Sequence, residues 1–110
     1  MSEDKVTALT RDLLAARALI ENPEHWTKHP KGMMPMCAYA AVLVAVQGHQ
    51  PTIIDQRTVE AQRFLAKQVG GDYTSRDVIG FNDHPDTTHA DVLALFDRAI
   101  ASSREAANPS

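Results

Sequence analysis

The sequence predicts an all-α fold, a compact bundle of about four helices with one nearly all-apolar helix at its centre. Three observations carry this. Ala, Leu and Val dominate the apolar set and only six of the 110 residues are Phe, Tyr or Trp, which favours closely packed helices over a β-sandwich. Apolar residues recur three and four apart along most of the chain. Most prolines and glycines fall between these periodic segments.

A first helix is expected from Ser2–Asp4 to about Asn22. Val6, Leu9, Leu13, Ala16 and Ile20 share one face, and Leu14 widens the stripe. Glu3 and Asp4 suit its positive end. Pro23 stops it, because proline brings no amide and restricts Asn22. Asn22-Pro23-Glu24-His25 then reads as a short turn capped by Asn22, with Pro23 at its first position. Trp26 precedes a linker, residues 27–35, that holds two prolines and a glycine. A lone Trp at such a junction plugs the edge of a core or stacks on a ligand.

The second helix is expected from Pro35 or Met36 to Gln47, with Cys37 in its first turn and Gly48 as its left-handed cap. Met36 to Val46 is apolar on nearly every side, which suits the middle of a bundle. Val42, Val44 and Val46 make a buried strand pair the competing reading. Alanine content and length favour the helix.

A third helix is expected from Asp55 to Val69, opened by Thr52-Ile53-Ile54-Asp55 as a capping box and stopped by Gly70-Gly71. Its inner face would carry Ala61, Leu65 and Gln68 with Phe64 and Val69. Ser75 to Phe81 is short and ambiguous, with Val78, Ile79 and Phe81 as core anchors. The last helix is expected from Thr88 to about Ser102, with Thr88 and Asp91 as its capping box and Val92, Leu95, Phe96, Ala99 and Ile100 as its stripe. One helical domain over 1–102 and a flexible tail over 103–110 follow.

Charge narrows the function classes. The net charge is -3 and no basic stripe is visible, so nucleic acid is not an expected partner. Residues 72–97 hold six Asp against one Arg, a balance that suits a cation, a basic partner or simple solubility. A lone cysteine fits a reducing cytoplasm. The polar N-terminus does not read as a signal peptide, and the longest apolar run, 11 residues from Met36 to Val46, is too short to span a bilayer. A cytoplasmic protein without membrane contact is therefore expected.

Phe81-Asn82-Asp83-His84-Pro85-Asp86-Thr87-Thr88-His89-Ala90-Asp91-Val92 is the densest functional stretch. It reads as a polar turn running straight into a helix. Asn82, Asp83, His84 and Thr88, with Trp26, are the candidate ligand-binding residues, since short polar side chains near helix amides hold small polar ligands. The same residues also serve turns and caps on their own account. Cys37 at a helix start is a candidate nucleophile, with His89 or His84 as its base and Asn82 or Asp83 orienting the imidazole. Its structural alternative is a small buried hydrophobe. Five histidines are present, but no H-E-x-x-H and no C-x-x-C, so no metal site is expected. Walker, G-x-G-x-x-G, G-x-S-x-G and EF-hand patterns are lacking too, and no cofactor is called for.

The pattern of a Leu-rich first helix, Trp26, Cys37-Ala38, Phe81-Asn82-Asp83, Thr88, Val92 and Ala99-Ile100 resembles a family of small uncharacterised actinobacterial and phage proteins. The resemblance runs from about Leu13 to Ile100. It implies that Cys37 and the Asn82-Asp83 segment form one shared feature, and it carries no activity. Two function classes follow. The leading one is a helical binding or interaction module for a protein or a small polar ligand. The alternative is a cysteine-dependent acyl-transfer or hydrolytic enzyme. A homodimer built on an exposed second helix is a third reading.

Overall fold

The computed structural model describes residues 2–28, 35–48, 55–69 and 75–107, and the side chains of 8–28, 35–48, 55–69 and 78–105 within them. Among these residues the fold holds five α-helices and one 3₁₀ turn: α1 (Ser2–Ile20), the turn (Pro23–His25), α2 (Ala38–Gln47), α3 (Gln56–Val69), α4 (Ser75–Asp83) and α5 (His89–Ala107). The all-helical expectation holds. The helix beyond the expected four is α4, formed where the sequence was ambiguous.

Helix α1 buries Leu13, Ala16 and Ile20, while Leu14 stays 39% exposed and does not widen the stripe. Asp12 occupies the edge of the buried face instead. Its carboxylate takes a forked pair of hydrogen bonds from Arg57 of α3, at 2.7 and 3.2 Å. The hydrogen bond to Asp12 pushes the Arg57 guanidinium pKa up. Asn22 caps the 3₁₀ turn as expected, its Oδ1 accepting from Glu24 N at 2.9 Å.

Trp26 and Met36 then pair as an isolated parallel bridge. Thr27 N donates to Met36 O at 3.1 Å and Met36 N to His25 O at 2.8 Å. This corrects the expected start of the second helix. Met36 is held extended by the bridge, so α2 begins at Ala38 and Cys37 is its N-cap rather than a first-turn residue. The strand-pair alternative for 42–46 fails, because this whole stretch is helical. Gly48 ends α2 in the left-handed region at φ 78°, its amide donating to Val44 O at 2.8 Å.

Helix α3 is capped by Asp55, whose Oδ1 accepts from Thr58 N at 2.9 Å. The expected Thr52 cap and the Gly70-Gly71 stop lie outside the described residues. Replacing Asp55 with Ala is expected to cost about 1 kcal/mol in chemical denaturation; an unchanged midpoint would show that the cap is not stabilising. The buried face is Thr58, Ala61, Gln62, Leu65 and Ala66. It is rotated from the expected face, since Phe64, Gln68 and Val69 are only half-buried. Two polar side chains face inward, Thr58 paired through its hydroxyl and Gln62 through its amide nitrogen, while the buried Oε1 of Gln62 has no hydrogen-bond partner among the described residues. Thr58 Oγ1 donates to Gln47 Oε1 at 2.7 Å, and Gln62 Nε2 to Tyr39 O at 3.0 Å.

In α4 Val78 is buried, Phe81 half-buried and Ile79 40% exposed, so Ile79 is not a core anchor. The helix runs on through Asn82 and Asp83. These two close α4 and are not part of a turn leading into the next helix. Helix α5 opens on the expected box: Thr88 N donates to Asp91 Oδ2 at 2.9 Å and Asp91 N to Thr88 Oγ1 at 3.1 Å. It continues past Ser102 to Ala107. Ser103 prolongs the buried stripe, with its Oγ 2.6 Å from Thr10 Oγ1 and donating to Ile100 O at 2.7 Å.

Helix α1 packs on α2 and α5, and α3 packs on α2, α4 and α5. The first half of α2, Ala38 to Leu43, is buried apart from a half-buried Tyr39. Among the described residues no helix is long and apolar enough to cross a membrane.

Candidate functional site

Every α-helix leaves four amides unpaired at its start and four carbonyls at its end. At one place the ends of α1, α2, α4 and α5 come together, and the side chains that pair their free groups are largely those the sequence marks as functional. Asn82 is the centre. It is fully buried at the end of α4. Its Oδ1 accepts from Trp26 Nε1 at 2.7 Å and from Ala38 N, the first amide of α2, at 3.0 Å. Two donors fix that atom as the oxygen. Its Nδ2 donates to Thr27 O at 3.3 Å and lies 3.5 Å from Asp83 Oδ1. One amide thus clamps α4, the bridge segment and α2.

The neighbours act alike. Cys37 Sγ accepts from Ala40 N at 3.4 Å. His89 Nε2 lies 2.6 Å from Ile20 O, at the end of α1. A carbonyl only accepts, so Nε2 carries the proton. The His89 ring packs at a tilt on Trp26, with centroids 5.7 Å apart. Lys28 Nζ donates to His84 O at 2.6 Å and Pro85 O at 3.1 Å, just past the end of α4. The structure therefore brings Trp26, Cys37, Asn82 and His89 into one junction. Asp83, His84 and Thr88 stay exposed at its rim. His84 Nδ1 accepts from Asp86 N at 3.1 Å, and Thr88 serves the cap of α5.

This arrangement suits holding helices together. Asn82 has both lone pairs and both amide hydrogens engaged within the chain. Among the described residues no hydrogen bond joins Cys37 to a histidine. The sulfur faces a backbone amide, and the Nε2 of His89 faces a backbone carbonyl. Nothing in the arrangement supports a Cys–His nucleophile. Nor do the described residues gather three His, Cys, Asp or Glu side chains that could hold a metal ion.

A second feature was not marked in the sequence. Between α1 and α3 lies an open groove of about 360 Å³, lined by Leu9, Glu60, Arg63, Phe64 and Lys67. Among the described residues Leu9 and Phe64, both half-buried, form its apolar floor, and Glu60, Arg63 and Lys67 form its charged rim. Arg63 and Lys67 take part in none of the ion pairs among the described residues, which are Arg17 with Glu21 and Asp97, and Arg57 with Asp12. The available signal was Arg63-Phe64-Leu65-Ala66-Lys67. Two like charges four apart on a helix repel, and here they flank an aromatic that packs against the edge of the core and stays half-buried.

Residues 4–102 match the model of a family of unknown function (DUF6197). No curated protein and no solved structure matches the chain.

Proposed function

We propose a function for a chain that belongs to DUF6197, a family of unknown function: it is a small helical binding module whose binding surface is the α1–α3 groove. One observation carries the reading. The groove joins an apolar floor to charged side chains without ion-pair partners among the described residues, whereas the polar atoms of the helix-end junction are largely engaged within the chain. Binding sites combine apolar lining with a few polar groups that fix orientation, and the volume lies in the range of such sites. The forked bond from Arg57 to Asp12 ties α3 to α1 beside the groove, so that the two helices present fixed walls.

The test is an amide-resolved NMR titration with 1-anilinonaphthalene-8-sulfonate, which pairs an aromatic body with an anion. Saturable shifts centred on Leu9, Phe64 and Lys67, lost in Phe64→Asp with the rest of the spectrum retained, are the expected result. Shifts centred on Trp26, Cys37 and His84–His89 would return the site to the junction and overturn the proposal. So would no saturable shift anywhere.

A further inference from the structure

Resting on the groove as the binding surface, we infer that its occupant is an acidic amphipathic helix from a protein partner. Length and charge both point there. From Glu60 to Lys67 the groove follows two turns of α3, about 10 Å at the α-helical rise. That is longer than one side chain and matches two turns of a docked helix, with apolar anchors at i, i+3 or i+4, and i+7. Leu9 and Phe64 receive the anchors. Arg63 and Lys67 flank Phe64 along α3, and among the described residues the acidic group that lines the groove is Glu60, held at 3.5 Å by Gln56 Nε2. Among the described residues the groove lining therefore carries two positive groups against one negative, on a chain whose net charge is -3. A partner helix with Glu or Asp beside its apolar stripe gives both cations their counter-charges. A basic helix would leave both facing like charge, which opposes binding.

A second copy of this chain fits less well. Among the described residues the large apolar side chains that stand exposed are Leu14 and Ile79. Ile79 has the acidic Asp83 one turn along α4, but it is a single anchor, where a docked amphipathic helix supplies several. Leu14 lies one turn from Arg11 and Arg17 rather than from acids.

Two fluorescein-labelled helical peptides of about 14 residues test this, each with Leu, Phe and Leu at i, i+4 and i+7. One has Glu at its flanking positions and the other has Lys. Fluorescence anisotropy is expected to show the Glu peptide binding at least about tenfold more tightly than the Lys peptide, and more weakly as salt rises. Arg63→Glu with Lys67→Glu, both on the surface and checked for unchanged circular dichroism, is expected to invert that preference. Equal affinity for both peptides, or a preference unmoved by the double reversal, overturns the inference. If neither peptide binds while 1-anilinonaphthalene-8-sulfonate still fills the groove, the site takes small amphipathic anions; this inference falls and the groove stands. If the dye fails as well, both fall. Concentration-dependent sedimentation of the wild type, abolished by the double reversal, would make the occupant a second copy and also overturn the proposal.

Discussion

Replacing Asn82 with Ala is expected to lower the unfolding free energy by about 3 kcal/mol and the melting midpoint by about 15 °C. The substitution removes the acceptor for Trp26 Nε1 and for Ala38 N. Ala38 is fully buried, and a donor left inside without a partner costs on the order of 1–3 kcal/mol. The bond from Asn82 Nδ2 to the Thr27 carbonyl is lost as well. Three segments come loose at once, so the loss should exceed that of a single surface bond. Trp26 is the only tryptophan, so its emission should shift to the red as the junction opens. Labelling of Cys37 by iodoacetamide should speed up, because the start of α2 is freed locally. The double-mutant cycle with Trp26→Phe isolates the side-chain bond: a coupling of about 1 kcal/mol is expected. Additive effects, or a loss below about 1 kcal/mol for Asn82→Ala, would mean that Asn82 is not a clamp.

Such a result would explain why the junction looks like an active site in the sequence. Cys, Asn, His, Lys and Thr are the side chains that chemistry uses, and they are also those that pair free helix ends. Local signals were legible wherever both partners lie within a few residues. Asn22 with Pro23, Thr88 with Asp91, and Gly48 were all readable for that reason. Asn82 was not, because its partners Ala38 and Trp26 are 44 and 56 residues away, and no periodicity encodes such a bond. Its position at a helix end was missed for the same cause. The Asn-Asp pair argues locally for a turn, yet the helix runs through both residues, with Val78 and Asn82 buried on its inner side. The start of α2 shifted through another long-range effect, the bridge between Trp26 and Met36. The groove was hidden for the opposite reason. It depends on which side of α3 faces inward, and the polar Thr58 and Gln62 turn that face by finding partners on α2.

That rotation of α3 yields a sharp pair of expectations for two phenylalanines. Phe96→Ala is expected to cost about 4 kcal/mol. Phe96 is fully buried and, among the described residues, the largest such side chain, so its loss leaves a cavity as well as forgoing the transfer of the ring from water. Against a total stability of about 5–15 kcal/mol, the variant should be partly unfolded at moderate urea and well below the wild type in its melt. Phe64→Ala should cost only about 1 kcal/mol, since a half-buried ring gains part of the burial energy. Yet it removes the groove floor and should abolish binding of the acidic peptide. The two substitutions delete the same atoms from helices that pack together, and they separate stability from binding. Comparable losses of stability at both positions would mean that Phe64 is core and that the groove has no floor of its own. Retained peptide binding in a folded Phe64→Ala variant would move the binding surface elsewhere on α3.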